Sequence, residues 1–284
     1  MPTASAAHGL GGLRVGFVGT GTMSSAIVRG LCTLPEPPAS VVVSPRNAQK
    51  AAALVAEFPG RVSVGADNQA VVDASDLVFV GVLPAQTEAV VRALSLTRGQ
   101  HQVISLVSTA RLGDLREWCA PLEADAVAKA IPLPPVAEHA GATLLAPPMP
   151  IGDALFSALG SCVAVETEET LTSMLPVTCL MGTVYATQRA TQDWLVGRGV
   201  PAPRAAAYVG AIFRTVTHDS AHADESTFDR LVNEQTPGGL NEQVVREMKE
   251  AGFFDVLTDS LDGALARVEG RPRPEGKRRR MTEP

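Results

Sequence analysis

The hydrophobic positions of this chain change period part-way along it. Up to about residue 166, short apolar runs of strand type alternate with segments whose apolar residues recur at helical spacing. Val15, Phe17 and Val18 open the series, and Met23, Ala26, Ile27 and Leu31 follow on one helical face. After the loop Pro35-Glu36-Pro37-Pro38, Ser40–Ser44 (SVVVS) predicts a second buried strand, and Ala48–Phe58 a helix ended at Gly60. Val62–Val64, Leu77–Val82, Val103–Val107, Ala126–Ile131, Ala142–Leu145 and Cys162–Val165 predict the remaining strands. Asn68–Ala74, Thr87–Leu94, a segment up to Trp118 and Ala154–Leu159 predict the helices between them. Alternation of this kind predicts an α/β fold with a mostly parallel, doubly wound sheet of Rossmann type.

From Glu168 the alternation stops. Thr170–Leu180, Val184–Arg198, Arg204–His222, Phe228–Val232, Leu240–Ala251 and Phe254–Val268 all read as helices. Gly199–Pro203 and Thr236–Gly239 separate them, and Gly252 is placed to close the helix before it in a left-handed conformation. The third of these helices sets Tyr208, Val209, Ile212, Phe213 and Val216 on one stripe. The expected division is a tail over 1–12, a Rossmann domain over 13–166, an all-helical domain over 167–270 and a basic tail over 271–284. The helical segments carry more apolar residues than a thin bundle buries alone, which predicts a homodimer formed through that domain.

Composition narrows the class of protein. With 45% hydrophobic and 19% charged residues the chain can bury a sizeable core. Its net charge of −6 argues against a nucleic-acid partner. No apolar run reaches the ~18 residues of a membrane span, and residues 1–12 lack the basic start and apolar core of a secretory signal. Cys32, Cys119, Cys162 and Cys179 are widely spaced with no CxxC, so reduced, mostly buried thiols and a cytoplasmic setting are expected. The cluster Lys277–Arg280 reads as a solvated tail, with contact to an anionic surface as the alternative.

The candidate chemistry begins where the first strand meets the first helix. Gly19-Thr20-Gly21-Thr22-Met23 breaks the apolar run, and a strand, a glycine turn and an amphipathic helix together suit a dinucleotide-binding unit. The first glycine permits the turn, the second lets the backbone approach a pyrophosphate, and the helix N-terminus offers N–H groups to it. A purely structural βα turn would have the same form. Ser24 takes the third position of the fingerprint, with Ala26 two residues on. The second strand ends in Ser44-Pro45-Arg46-Asn47, where a site for the unphosphorylated cofactor usually carries Asp or Glu. A hydroxyl at Ser44 and a guanidinium at Arg46 favour a 2′-phosphate, hence NADPH, unless Arg46 is simply a solvated loop cation. Pro84 stops the Leu77–Val82 strand where strand carboxyl ends meet such a cofactor. His218 and His222, beside Asp219, Asp224 and Glu225, lack a third spaced ligand and read as a solvated helix end rather than a metal site. The acidic run Glu166–Glu169 reads as structural, suiting the start of the helix after it.

Taken in order, these segments resemble the pyrroline-5-carboxylate reductase family over roughly residues 13–270. Gly19-Thr20-Gly21-Thr22-Met23-Ser24-Ser25-Ala26 matches its GxGxMxxA. Val82-Leu83-Pro84, Ile104–Thr109, Ala128–Leu133, Gly141-Ala142-Thr143, Leu180–Tyr185 and Thr236-Pro237-Gly238-Gly239-Leu240-Asn241 stand where the family has its later motifs. The resemblance implies an NADPH-dependent enzyme of the proline-biosynthetic type, passing hydride to the C=N bond of a small, cyclic, carboxylated imine. It places Gly19–Met23, Ser44, Arg46, Val82, Leu83, Pro84, Val107, Ser108 and Thr109 at the cofactor. It places Pro237, Gly238, Gly239 and Leu133 at the substrate, with Thr236 and Asn241 as catalytic residues. The Pro237–Gly239 turn opens a helix whose N–H groups could receive a substrate carboxylate, Thr236 adds a hydroxyl donor, and Asn241 could accept from an imine N–H. Asn241 as a helix cap and the glycines as a plain turn are the alternatives. The departures cluster on the substrate side. Leu83 replaces a lysine, Lys129 an arginine, Leu133 an asparagine, Thr183 a proline and Asn241 a threonine. They point to another imine or carbonyl as substrate. A catalytically silent NADP-binding sensor or subunit is one alternative. A β-hydroxyacid dehydrogenase-like enzyme is the other, and it would need a lysine that Gly182–Arg189 does not supply.

Overall fold

The computed structural model describes residues 9–274, so Lys277–Arg280 and most of the expected N-terminal tail lie outside the described residues. The chain divides into two compact units, Met1–Leu171 and Thr172–Pro284.

The first unit is built on eight strands: β1 (Arg14–Val18), β2 (Ser40–Val43), β3 (Val62–Val64), β4 (Leu77–Val80), β5 (Gln102–Ser105), β6 (Val127–Pro132), β7 (Gly141–Ala146) and β8 (Gly160–Ala164). They form one sheet in the order β3-β2-β1-β4-β5-β6-β7-β8. Helices α1 (Thr22–Cys32), α2 (Ala48–Glu57), α3 (Asn68–Asp73), α4 (Thr87–Arg92), α5 (Leu112–Trp118) and α6 (Pro150–Ala158) connect them. This is the mostly parallel, doubly wound sheet that the alternation predicts. The exceptions are β7, antiparallel to β6 with Lys129 opposite Ala146, and β8, which runs parallel to β7. Residues 133–140 are too few for a parallel crossover, which needs about a dozen, so the chain turns back.

Buried on both faces, the central strands are continuous apolar runs whose residues alternate between two cores. Val15, Phe17, Leu77 and Phe79 enter one core with Ile27, Leu31 and Phe156, and Val18, Val78 and Val80 enter the other with Val91 and Leu115. Phe17 stacks on Phe79 at 4.9 Å between ring centroids, and Phe156 meets Phe79 edge-on at 6.0 Å. Three expectations need correction. Leu10 is 2% exposed and belongs to the first core, so the chain is anchored before residue 12. The fourth strand ends at Val80, although the Gly81 N–H still donates to Val18 O at 2.9 Å. Of the four free cysteines only Cys119 is buried, and Cys179 is exposed. Desolvation raises the Cys119 thiol to about 12 and the Cys32 thiol to about 11, which keeps both protonated.

His101 is a buried polar residue with a consequence for pH. Its Nδ1 accepts the Thr97 N–H at 2.9 Å, while its Nε2 has no partner. Burial lowers its pKa below the ordinary 6.5, against the pull of Asp73 and Asp76. As pH falls through about 6.5 the unfolded chain takes up a proton that the native ring resists, so stability is lost in that direction. His101→Asn keeps an acceptor for Thr97. Melting curves between pH 5 and 7.5 should show a shallower acid loss in the variant, and parallel curves would rule the ring out as the cause.

Helix α7 (Glu168–Met174) begins in the first unit and ends in the second. The single helix expected over Thr170–Leu180 is interrupted, and Leu175–Cys179 forms a 3₁₀ turn around Pro176, which lacks an N–H. Then come α8 (Leu180–Gly197), α9 (Ala202–Asp219), α10 (Thr227–Asn233), α11 (Leu240–Glu250) and α12 (Phe253–Val268). Gly252 has φ +76°, the left-handed turn expected of it. The apolar stripe of α9 is mostly not internal: Val209 is buried, whereas Tyr208 is 62% exposed and Ile212 and Val216 are also exposed. No described helix is long and apolar enough to cross a membrane.

Candidate active site

The sheet order reverses between β1 and β4, and the crevice at their carboxyl ends is where open α/β sheets bind ligands. Gly19 and Gly81 meet there. Gly19 sits at φ +103°, and a Cβ on it would lie 2.4 Å from the Gly81 carbonyl oxygen. Only glycine satisfies both conditions. Gly21 differs, because a Cβ there would meet nothing nearer than Gly81 O at 3.7 Å, so its bareness leaves open space above the turn. The first turn of α1 carries no acidic side chain, and Thr22 is exposed at its start. This end of α1 is therefore open to an anion.

Ser44 does not reach toward a phosphate as its position after β2 suggests. It is 0% exposed. Its hydroxyl accepts the Gly19 N–H at 2.9 Å, and Thr20 Oγ1 donates to the Ser44 carbonyl at 2.8 Å. Ser44 and Thr20 thus clamp the glycine turn from beneath. The cations beyond β2 are exposed Arg46 and, four residues on, half-buried Lys50. Arg46 donates to Gln86 Oε1, and Lys50 Nζ donates to Thr22 Oγ1 at 2.9 Å. Asn47 caps α2 by accepting the Lys50 N–H. Arg46 and Gln86 line a groove of about 510 Å³ with Asp67, Asn68, Gln69 and Ala89, at the carboxyl ends of β2, β3 and β4. A cation in the first turn of a helix opposes the helix dipole, and that local conflict is the signal by which sequence reasoning could have found Lys50. The glycine cradle, the uncapped α1 and the Arg46–Lys50 pair fit a phosphorylated dinucleotide.

The remaining cofactor candidates are less uniform. Leu83 is 64% exposed, and Pro84 begins a 3₁₀ turn leading to α4. Val82 is half-buried, and its Cγ1 faces the Gly19 turn. Val107 is buried in the second core, so its side chain packs instead of facing a ligand, whereas Ser108 and Thr109 are exposed. Just beyond them, the Leu112 N–H at the start of α5 is held by Glu168 Oε2 at 2.8 Å, and Glu168 Oε1 pairs with buried Lys129 Nζ at 2.8 Å. Lys129 thus braces the sheet to this loop. Leu133 is half-buried, with its N–H on Ala142 O and its carbonyl receiving Val136 N–H, both at 3.0 Å.

In the second unit the Thr236–Asn241 turn opens α11 as expected, and all of its residues but half-buried Gly239 are exposed. Its hydrogen bonds differ from expectation. Gly238, at φ +73°, gives its N–H to Glu242 Oε2, and the Gly239 N–H goes to Thr236 O at 2.8 Å. The N–H groups of both glycines are therefore taken within the turn and do not await a substrate carboxylate. Asn241 Nδ2 donates to Gln235 Oε1 at 2.7 Å, and its acceptor atom is Oδ1. Asp224 accepts from Ser226 and Thr227 at the start of α10, and these bonds hold its carboxyl down to about 2. Among the described residues no group of three or more His, Cys, Asp and Glu side chains is placed to hold a metal.

Residues 14–109 match the family model described as NADP oxidoreductase, coenzyme F420-dependent. A pyrroline-5-carboxylate reductase from Coxiella burnetii superposes with a TM-score of 0.78 at 19% identity, covering 91% of this chain and 98% of that one. The chain has the fold of the pyrroline-5-carboxylate reductases. A Plasmodium falciparum pyrroline carboxylate reductase with NADP bound gives 0.73 at 14% identity, covering 92% and 99%. A reductive aminase from Aspergillus terreus, in complex with NADPH and ethyl-5-oxohexanoate, gives 0.54 at 15% identity, covering 92% and 88%. A search of curated proteins finds no match. The fold is thus that of NAD(P)-dependent oxidoreductases, in agreement with the motif resemblance.

Proposed function

We propose that this protein is an NADPH-dependent reductase of a small imine. The observation that carries the reading is the Gly19 turn, held over Gly81 by Ser44 and open toward Arg46 and Lys50. When bound, NADPH would supply a hydride to the carbon of a C=N already protonated at nitrogen; the π pair would pass to nitrogen and give the amine with no further proton. The chain's own work is to bind, orient and exclude water, since a protonated C=N is already electrophilic. Arg46 and Lys50 hold the 2′-phosphate, the start of α1 receives the pyrophosphate, and Asn241 Oδ1 accepts the iminium N–H. A β-hydroxyacid dehydrogenase reading is disfavoured because α8 carries no lysine. The exposure of Leu83 and the use of Lys129 in an ion pair favour the silent NADP-binding sensor as second reading.

The test is absorbance at the nicotinamide band with NADPH and a panel of cyclic imines. Oxidation of NADPH supports the reductase, and tight binding with no oxidation across the panel leaves the sensor. In the same assay Arg46→Asp should weaken NADPH ~10- to 100-fold more than NADH, since a charge-assisted bond contributes about 1.5–3 kcal/mol. Equal losses would remove Arg46 from the 2′-phosphate site. The exposed Tyr185, Trp194, Tyr208, Val216 and Phe228 of the second unit support a homodimer through its helices. Sedimentation should give twice the 29.6 kDa chain mass, and a monomer at micromolar concentration would contradict it.

A further inference from the structure

We infer that Gln86 is a positioning residue that sets the preference for the phosphorylated cofactor, by holding the Arg46 guanidinium ready for the 2′-phosphate without neutralising it. The inference rests on the NADPH reading of the crevice and names the residue that selects the cofactor there. Gln86 is fixed through its backbone. Beyond β4, Pro84 opens a 3₁₀ turn, and the Gln86 N–H closes that turn on Leu83 O at 2.9 Å. Its side chain is half-buried, and its Oε1 accepts from Nη1 of exposed Arg46. Strands β2 and β4 flank β1 in the sheet, so this bond spans the carboxyl end of the strand that carries the glycine turn. An arginine on a loop samples many rotamers, and ordering it is part of the cost of binding an anion. A bond already made lowers that cost, and it leaves the other guanidinium N–H groups for a phosphate. The chemical type of the partner matters as much as its place. Arg14, Arg29 and Arg92 are paired with carboxylates, which offset their charge. Among the described residues Arg46 has an amide partner and no carboxylate in ion-pair reach, although Asp67 lines the same groove. Asp67 is committed elsewhere, since its Oδ1 accepts the Ala70 N–H at 2.8 Å as the cap of α3. Lys50 follows the same pattern, with its Nζ on the neutral Thr22 hydroxyl. Both cations are thus aimed by neutral acceptors and keep their whole charge for a phosphate.

Nicotinamide fluorescence titrations give Kd for NADPH and for NADH without turnover, so the test does not depend on the substrate. Gln86→Ala should weaken NADPH ~3- to 10-fold more than NADH, the scale of ordering one long side chain. Gln86→Glu keeps the shape and adds a charge that pairs with Arg46 and repels the phosphate. It should weaken NADPH at least ~10-fold more than NADH. In an Arg46→Ala background, Gln86→Ala should move the ratio of the two Kd values by less than ~2-fold, since no guanidinium is left to position. A ratio that Gln86→Ala leaves unchanged in the native background overturns the inference. So does a shift that is equally large with and without Arg46, which is what a merely structural role would give. Tighter NADPH binding by Gln86→Ala would make the bond a clasp that the cofactor must break, and overturns it as well. In these three cases the native protein still prefers NADPH, and the NADPH reading stands. If the native protein does not bind NADPH more tightly than NADH, that reading falls and this inference with it.

Discussion

Gly19→Ala is expected to weaken NADPH binding and to destabilise the fold as well, which substitution at exposed Arg46 should not do. The new Cβ would lie 2.4 Å from the Gly81 oxygen and 2.7 Å from its carbonyl carbon, both backbone atoms that cannot rotate aside. At φ +103° the alanine is strained as well. Left-handed strain costs about 1–3 kcal/mol and crowding of a packed site a similar amount. The turn escapes by shifting, and the shift breaks the Gly19 N–H bond to Ser44. A loss of about 3 kcal/mol in binding raises Kd ~100-fold. Gly21→Ala is the control. Its Cβ would have Gly81 O at 3.7 Å as nearest neighbour, so the protein should melt normally and lose affinity only through the space filled above the turn. Urea denaturation and NADPH titration on both variants separate the two effects. A Gly19→Ala protein with native stability would show that β1 and β4 do not close on each other as tightly as these distances require.

The first unit was legible because its strands are buried on both faces. Such strands read as unbroken apolar runs, and glycine and proline punctuate them. The antiparallel β7 was not legible, since periodicity carries no direction. The glycine turn was readable as local chemistry, but the orientation of Ser44 was not. A serine after a strand looks the same whether it points to a phosphate or inward, and Gly19 and Thr20 decide the matter from 25 and 24 residues away. Glu242 was readable in principle, four residues after Gly238, but the glycines drew the expectation toward an open anion site. In the helical unit the period gave the helices without saying which face is internal. Tyr208 and Ile212 share a stripe with Val209, yet only Val209 is buried. The Lys129–Glu168 pair could not be read at all, because 39 residues and a strand reversal separate its members.

That pair carries the second large effect. Glu168→Ala is expected to cost about 3 kcal/mol of stability, the scale for leaving a buried charge without its partner. Lys129 is 5% exposed in its side chain and Glu168 23%, so the ammonium bears most of the desolvation once the carboxylate is gone. The Leu112 N–H loses its acceptor in the same step, which loosens the segment holding Ser108 and Thr109. The double variant Lys129→Met with Glu168→Gln should recover most of the loss. Methionine fills the space of the lysine stem opposite Ser105 without a charge, and glutamine still accepts from Leu112. Urea denaturation of Lys129→Met, Glu168→Gln and the double gives the coupling directly. If Glu168→Ala unfolds at the native midpoint, the pair is not buried as its exposure implies. If the double variant is stable but binds NADPH weakly, the pair acts by placing the 107–111 loop, and its net contribution to stability is small.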